Sequence, residues 1–292
     1  MRQRLGWIAA VAVLAVAALL LVARHRHHAR TGTWFGGSWL RDGWFEEVEE
    51  PSTPEEALDV PDAETLDWCA EGLTAVPGGA CFAAPDAAQG KAGSWPLVLY
   101  LHGIFDPAAA TEELGRQSNV AKHALAAGFA VLALRGHVGE CSAPEYASRV
   151  CWPSNERNED AGPGFLAEWR TPLAIASRRG ARGPRYVLGF SNGGYFSGLI
   201  AERGWFDAGA FVVARGGPVE PVHASGRKFP MLLALSDGDP SHDEMAKLDD
   251  ELTREEWPHE RYLSHGGHAL PDGDIEAAIQ FFTKVESSVA AP

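Results

Sequence analysis

The chain is poor in positive charge. Lysine and arginine together number 25 against 39 aspartates and glutamates, so the formal net charge is −14 and the sequence pI is about 5.2. A surface of this sign repels the phosphates of nucleic acids and of anionic lipids. The deficit therefore argues against nucleic acid or an anionic membrane surface as a partner of the soluble part. Internal repeats and long low-complexity tracts are also lacking.

Cysteine is scarce as well, with four residues in two close pairs, Cys69 with Cys81 and Cys141 with Cys151. Neither pair has the Cys-x-x-Cys spacing of a zinc knuckle or a histidine at ligand spacing, so no metal site is predicted. The pairs are typical of two short-loop disulfides formed in an oxidising compartment. Four unrelated buried thiols are the alternative.

Near its start the chain contains a long apolar run without charged residues, 5–23. Its 19 residues at about 1.5 Å each span about the hydrocarbon thickness of a bilayer. Arg24 directly after the run disfavours cleavage there, so 1–30 is predicted to be an uncleaved signal-anchor, one N-terminal transmembrane helix. Arginines lie on both sides of the apolar run, so the positive-inside rule gives almost no information about the orientation of the helix in the membrane. The cysteine pairs favour a single-pass protein with its soluble domain outside the cytoplasm.

Residues 31–66 are predicted to form a tether. The aromatic side chains at its start can lie at a membrane interface or dock on the domain. Glutamates and prolines at 46–56 disfavour a packed structure and predict a solvated spacer. The globular domain is then expected at 67–287, followed by a short tail at 288–292.

Alternating apolar strands and helical segments predict an α/β domain. Residues 95–101 and 129–134 are nearly continuous apolar strands, typical of strands covered on both faces. The helical segment 111–127 joins them, and this order implies parallel pairing through a right-handed crossover. The irregular stretch 136–164 holds the second cysteine pair, which would pin it. The connection after the strand at 208–213 is too short for a large cap, so we expect an open site.

The sequence Gly189-Phe190-Ser191-Asn192-Gly193 follows a short β-rich run and precedes a segment compatible with a helix from about Tyr195. This order of strand, sharp turn and helix predicts a nucleophile elbow, with Ser191 at a strained backbone position between small residues. The turn pushes the Ser191 hydroxyl over the end of the sheet. The backbone N–H of Asn192, at the helix start, then faces a developing negative charge.

A serine hydroxyl becomes a nucleophile only beside a base, and the base needs a carboxylate that fixes its tautomer. Asp237 and Asp239 follow one later strand, and His265 and His268 follow the next. Two glycines before His268 let the backbone bring it close to the serine, with His265 as the alternative. Both aspartates lie just past the same strand, so Asp237 remains an alternative to Asp239 as the carboxylate that orients the base. The ends of such strands are where sites form in open α/β sheets.

Together these pieces resemble α/β-hydrolases of the esterase kind, especially polyhydroxybutyrate depolymerases, feruloyl esterases and small carboxylesterases. The resemblance covers about 95–285 and rests on Leu101-His102-Gly103 after an early strand, Gly-Phe-Ser-Asn-Gly-Gly at the elbow, the Asp239-Pro240 turn and Gly266-Gly267-His268. It implies an α/β-hydrolase fold, a mostly parallel doubly wound sheet without a large cap. The serine, the acid and the histidine follow one another in the chain order of that family.

The resemblance also implies roles for particular residues. The nucleophile, the general base and the orienting acid would be, in turn, Ser191, His268 and Asp239. Asp239 is preferred over Asp237 because the residue before proline matches the family pattern. The oxyanion hole would consist of two backbone N–H groups, those of Ile104 and Asn192. His102 would be structural and hold its loop by hydrogen bonds. No metal or organic cofactor is implied.

The predicted function is that of a membrane-anchored serine hydrolase that cleaves small-molecule or polymeric carboxylic esters through an acyl-enzyme. A thioesterase or peptidase with the same triad is one alternative. A catalytically silent hydrolase fold that serves as an anchored interaction module is another. The missing cap favours soluble, accessible esters over interfacial lipid. Phe105, Trp152 and Tyr195 are candidates for the lining of the substrate pocket or for the core.

Overall fold

The structure, a computed structural model, describes residues 68–86, 94–141, 143–155, 159–219 and 227–290. The predicted signal-anchor at 1–30 and the tether at 31–66 lie outside these ranges. No helix within the described ranges combines the length and the apolar character needed to cross a bilayer.

Strands and helices alternate along the described part of the chain. In order they are β1 (Thr74–Val76), β2 (Ala80–Ala83), β3 (Leu97–Leu101), α1 (Thr111–Ala126), β4 (Ala130–Leu134), β5 (His137–Val138), β6 (Val150–Cys151), α2 (Gly162–Glu168), α3 (Arg170–Arg178), β7 (Arg185–Phe190), α4 (Asn192–Arg203), β8 (Ala210–Ala214), β9 (Met231–Ser236), α5 (His242–Arg254), β10 (His259–Ser264) and α6 (Asp272–Ala290). Short 3₁₀ helices lie at Pro107–Ala109, Pro144–Tyr146 and Glu159–Ala161.

Eight strands form one sheet in the order β1-β2-β4-β3-β7-β8-β9-β10. Six neighbouring strands of this sheet, β4-β3-β7-β8-β9-β10, pair in parallel. The β1–β2 hairpin adds two antiparallel strands at one edge. Parallel pairing of β3 with β4, Leu97 opposite Ala130, follows from the α1 crossover between them. The predicted mostly parallel sheet is confirmed.

Helices cover both faces of this sheet. All residues of β3, β4, β8 and β9 are buried, whereas β10, at the edge, has only exposed and half-buried residues. Helices α1 and α6 pack on the face that carries Val98 and Tyr100. Helix α4 packs on the other face, where a Cβ on Gly198 would lie 3.6 Å from Val213 Cγ2. The sheet is therefore doubly wound.

Two segments differ from the sequence prediction. The sequence of residues 165–178 is compatible with a helix that Pro172 interrupts. The structure instead has two helices, α2 and α3, with the break at Trp169. Pro172 lies in the first turn of α3, where its missing N–H would have no intrahelical partner, so it is compatible with a new helix start. The stretch at 136–164 also contains regular structure, because β5 and β6 form a short antiparallel hairpin.

Both cysteine pairs are disulfide-bonded in the structure. The Cα atoms of Cys69 and Cys81 are 5.4 Å apart, and those of Cys141 and Cys151 are 5.2 Å apart. The first disulfide ties the segment before β1 to β2, at the edge of the sheet. The second closes the β5–β6 hairpin beside the ends of β3 and β4. No cysteine in the described ranges is a free thiol.

Candidate active site

Ser191 occupies the sharp turn between β7 and α4. Its φ of 54° lies in the left-handed region, where a residue with a side chain is strained. A Cβ on Gly189 would collide with the carbonyl oxygen of Gly193, and a Cβ on Gly193 would collide with that of Leu101. Helix α4 begins directly after the serine, earlier than the predicted start near Tyr195. The close packing around Gly189 and Gly193 thus holds Ser191 at the carboxyl end of the parallel strands.

The structure brings three of the predicted side chains into one hydrogen-bonded series. His268 Nε2 lies 2.7 Å from Ser191 Oγ. His268 Nδ1 lies 2.9 Å from Asp239 Oδ2 and 3.2 Å from Asp239 Oδ1. An Nδ1–H that donates to the carboxylate leaves Nε2 as the acceptor of the serine hydroxyl. The arrangement can therefore take a proton from Ser191 without any rearrangement of the protein.

Asp239 is buried, and its environment favours the ionised carboxylate. The N–H and the hydroxyl of Ser241 both donate to Asp239 Oδ1, each at 2.7 Å. Burial opposes ionisation, but the two bonds from Ser241 and the interaction with His268 outweigh it, so the pKa of Asp239 is below its usual value. A carboxylate that stays charged can stabilise an imidazolium on His268.

The two alternative residues pair with each other instead. Asp237 Oδ2 lies 2.6 Å from His265 Nδ1, and the side chains are 50% and 85% exposed. The hydrogen bond from His265 is the main reason that the pKa of Asp237 is lowered. This exposed pair lies beside the buried one on the same two loops, and neither member hydrogen-bonds to Ser191 in the structure.

Two backbone segments border the serine where an oxyanion would form. Asn192 is the first residue of α4, and the first N–H groups of a helix have no intrahelical acceptor. The loop after β3 approaches from the other side, because a Cβ on Gly103 would lie 3.1 Å from Ser191 Cβ. Ile104 follows Gly103 in this loop. Both predicted backbone donors, those of Ile104 and Asn192, thus belong to segments next to Ser191.

His102 fixes the conformation of the loop after β3. It is fully buried, its Nδ1 lies 2.6 Å from the carbonyl oxygen of Gly103, and its Nε2 accepts from the N–H of Gly136 at 2.9 Å. Burial lowers the pKa of His102 to about 3, so the ring is neutral. The indole N–H of Trp152 donates to the His102 carbonyl at 3.0 Å. These contacts hold the backbone that leads to Ile104.

Sequence reasoning missed the side chains that connect the elbow to its surroundings. The Asn192 amide bonds to the main chain of Trp152 in both directions and donates to Ser154 Oγ. Arg215, directly after β8, is buried between Asp239 and Asp274. No local motif signals either contact, because the partners are far apart in the chain.

A cavity of about 360 Å³ adjoins the elbow. Its lining consists of Ser154, Asn155, Tyr195, Pro218, Val219, Glu244 and Lys247. Of the three aromatic candidates, Tyr195 lines this cavity and its hydroxyl contacts Glu244. Phe105 and Trp152 are buried in the core. Within the described ranges, no group of three or more His, Cys, Asp or Glu side chains is placed to hold a metal ion.

Comparison with solved structures assigns the fold. The chain superposes on YahD with malic acid at 16% identity, with 70% of this chain and 98% of that chain covered and a TM-score of 0.52. It is also similar to a carboxylesterase from Mesorhizobium loti (17% identity, 73% and 99% covered, TM-score 0.52). A third similar structure is Esterase B from Lactobacillus rhamnosis (11% identity, 77% and 90% covered, TM-score 0.55).

At these identities the similarity shows the fold alone. The strand order, the doubly wound sheet and these structures identify an α/β-hydrolase fold, as the sequence predicts. No family model matches the chain, and no curated protein matches it.

Proposed function

We propose that this chain is a serine hydrolase that cleaves carboxylic esters through an acyl-enzyme on Ser191. The observation that carries the proposal is the hydrogen-bonded series Asp239–His268–Ser191 at a strained strand-to-helix turn. A buried ionised acid, a histidine whose Nε2 can accept a proton and a serine within its reach are the groups that acyl transfer requires. Carboxylesterases and esterases among the structural neighbours support the choice of an ester as substrate.

In the proposed acylation, Ser191 Oγ attacks the ester carbonyl carbon while His268 Nε2 takes the hydroxyl proton. The carbonyl oxygen becomes an oxyanion and accepts hydrogen bonds from the backbone N–H groups of Asn192 and Ile104. Asp239 stabilises the imidazolium that forms on His268. When the tetrahedral intermediate collapses, the bond to the alcohol oxygen breaks, and His268 donates its proton to that oxygen.

In the proposed deacylation, water replaces the alcohol. His268 Nε2 takes a proton from the water, whose oxygen attacks the acyl carbon, and the same two N–H groups hold the second oxyanion. Collapse breaks the bond to Ser191 Oγ, which recovers its proton from His268 as the carboxylic acid leaves. Each oxyanion N–H contributes about a hundredfold or more to the rate in enzymes of this kind.

The cavity beside the elbow would take one side of the substrate. Its lining combines a phenol, an amide, a hydroxyl and the charged side chains of Glu244 and Lys247 with two small apolar side chains, Pro218 and Val219. Such a surface suits a short or polar group better than a long alkyl chain. We therefore propose small, accessible esters as the substrates rather than interfacial lipid.

The test is a panel of nitrophenyl esters and thioesters of graded acyl length, assayed with the full chain in detergent. We expect turnover of short oxygen esters and labelling by a fluorophosphonate probe. Ser191→Ala should abolish labelling and lower kcat by a factor on the order of 10⁶. Ser287→Ala, which changes an exposed serine on α6, is the matched control and should retain full activity.

Two results would contradict the proposal. Folded wild-type protein that neither hydrolyses any substrate nor reacts with the probe would favour the silent interaction module. A preference for thioesters over oxygen esters would contradict the proposed substrate class while leaving the Ser191 chemistry intact. Mass spectrometry of the Ser191 peptide after a brief reaction should show the added acyl group.

We also propose that the chain is anchored by residues 5–23, with the catalytic domain outside the cytoplasm. The two disulfides support this orientation, because such bonds persist in oxidising compartments. Alkaline carbonate should leave the full chain in the membrane fraction. Protease added to intact cells or spheroplasts should digest the domain, whereas protection until lysis would place the domain in the cytoplasm.

A further inference from the structure

A buried row of alternating charges lies behind Asp239. Arg215 is only 1% exposed, and its Nε lies 3.5 Å from Asp239 Oδ2. On the other side its Nη2 lies 2.6 Å from Oδ2 of Asp274, in the first turn of α6. The order is therefore Asp274, Arg215, Asp239, His268, and the last member is the one that contacts Ser191.

Arg215 is held firmly in this position. Nη1 donates to the carbonyl oxygen of Ala234 at 2.6 Å, and Nη2 donates to Ser264 Oγ at 2.8 Å. The residue also has a φ of 54°, a left-handed conformation that an arginine does not adopt without support from its surroundings. The guanidinium is thus fixed beside the carboxylate of Asp239 rather than free to turn to solvent.

We propose that Arg215 and Asp274 are positioning residues that set the charge of the Asp239–His268 pair. Arg215 adds its positive charge to the contacts from Ser241 and His268 that already favour the ionised Asp239, and it repels positive charge on the imidazole, while Asp274 offsets part of the arginine charge. This inference rests on the proposed function and deepens it, because it concerns how the same site is tuned. Asp239 can stabilise a transient imidazolium only while it remains a carboxylate.

The physical basis is the short distance and the low exposure of all three charged groups. An opposite charge within about 4–6 Å lowers the pKa of a carboxyl group by about one to three units. Solvent does not screen these charges as it screens surface pairs. Burial raises the pKa of Asp274, and the Arg215 guanidinium opposes that effect. Without Arg215, the two buried carboxylates would both lose the positive charge that lies between them.

Other elements packed around His268 also carry ring, polar or charged groups, which the variants below leave unchanged. The elbow contributes the Phe190 ring, 5.3 Å from the imidazole, and Arg116 of α1 lies over that ring. The remaining groups are Ser191 and Ser241, which bond to the pair, Glu112 and Glu113, which pair with Arg116, and the exposed Asp237 and His265.

The experiment compares the pH dependence of kcat/KM for the full-length wild type with Arg215→Met, Asp274→Asn and the double variant. The acid limb is the low-pH side of this profile, where activity falls as the catalytic base takes up a proton. Arg215→Met removes a positive charge, so the acid limb should move to higher pH by about one unit. Asp274→Asn removes a negative charge, so the limb should move to lower pH by a similar amount. The double variant should return to within a few tenths of a unit of the wild type.

The control pair is Arg227–Asp207, whose N–O separation is also 2.6 Å but whose side chains are both 63% exposed. Arg227→Met and Asp207→Asn should leave the acid limb in place, because solvent screens their charges. Circular dichroism checks that each variant is folded. If Arg215→Met does not fold, the near-isosteric Asp274→Asn decides the question alone.

NMR titration of the His268 imidazole gives a second readout that does not depend on turnover. If the wild type hydrolyses no ester, the proposed function fails. The His268 titration then still tests whether Arg215 and Asp274 act on the Asp239–His268 pair. Opposite shifts in the two single variants support the inference. A His268 titration and an acid limb that both stay in place in folded Asp274→Asn would overturn it and leave Arg215–Asp274 as a structural ion pair.

Discussion

The side-chain amide of Asn192 bonds to the main chain of Trp152 in both directions. Oδ1 accepts from the Trp152 N–H at 2.7 Å, and Nδ2 donates to the Trp152 carbonyl oxygen at 3.2 Å. The first residue of α4 is thereby joined to the chain just after β6. This contact connects the turn that carries Ser191 to the disulfide-closed hairpin.

Replacement of Asn192 tests this connection. Asn192→Ala keeps the backbone N–H but leaves two buried main-chain groups of Trp152 without partners. We expect the free energy of unfolding to fall by about 1–3 kcal/mol and kcat to fall as the elbow loosens. Denaturant unfolding and ester kinetics measure the two effects. Asn119→Ala, at a half-buried position on α1, is the control, and equal losses in both variants would contradict the prediction.

The two disulfides should affect the protein differently. Each closes a short loop, so its removal should lower the free energy of unfolding by about 3 kcal/mol. The hairpin closed by Cys141–Cys151 precedes Trp152, so Cys141→Ser with Cys151→Ser should also lower kcat/KM. Cys69→Ser with Cys81→Ser acts at the β1–β2 edge and reaches the site only through Trp68, which packs on His102 and Phe105. Its effect on kcat/KM should therefore be the smaller of the two at temperatures where the variant is folded. A loss of activity in the Cys69/Cys81 variant but not in the Cys141/Cys151 variant would contradict this prediction.

Glu113 should make the stability depend on pH. Its side chain is fully buried on α1 and accepts from Tyr100 Oη and Arg116 Nη1, each at 2.8 Å. Burial raises the pKa of Glu113 from 4.5 to about 7, although Arg116 and Tyr100 oppose this. The folded state therefore binds more protons than the unfolded state between these values. Stability should fall as the pH rises through that window, by at most about 3 kcal/mol from this group.

Glu113→Gln mimics the protonated side chain and isolates this contribution. Near pH 5 we expect the variant and the wild type to have similar free energies of unfolding. Near pH 8 the variant should be the more stable of the two. The matched control is Glu112→Gln, because Glu112 pairs with the same Arg116 but is 89% exposed. A pH-independent difference between Glu113→Gln and wild type would contradict the raised pKa.

Two glycines provide a contrast between a crowded and an open backbone. A Cβ on Gly193 would collide with the carbonyl groups of Leu101 and His102, so Gly193→Ala should prevent folding or unfold the elbow. Gly115 lies in α1, where a Cβ would meet nothing within 4 Å. Gly115→Ala should therefore stabilise the protein by about 0.5–1 kcal/mol. Thermal unfolding checks both, and a Gly193→Ala protein as stable as wild type would disprove the crowding.

The sequence predicted the parts of the site that local patterns encode. Apolar strands that alternate with helices implied the parallel sheet, and Gly189 with Gly193 marked the turn around Ser191. Two glycines before His268 favoured it over His265, whereas the preference for Asp239 over Asp237 came from the resemblance to the hydrolase family. The pairing of Asp237 with His265 could not be foreseen, because it depends on how two loops lie side by side.

The contacts that support the site were beyond sequence reasoning for the same reason. Arg215 lies in an ordinary Ala-Arg-Gly-Gly stretch, and its partners on β9, β10 and α6 are brought to it only by the completed sheet. Likewise, Pro172 suggested a break inside one helix, whereas the break lies at Trp169, because proline is tolerated in the first turn of the next helix.

The end of β8 supports both the serine and the acid of the hydrogen-bonded series. The N–H of Ser191 donates to the carbonyl oxygen of Ala214 at 2.8 Å, and the next residue, Arg215, lies against Asp239. Because these two supports are consecutive in the chain, a small displacement of the strand end carries the alcohol and the acid in the same direction. We therefore expect the distance between the Ser191 hydroxyl and the Asp239 carboxylate to change little when the end of β8 shifts.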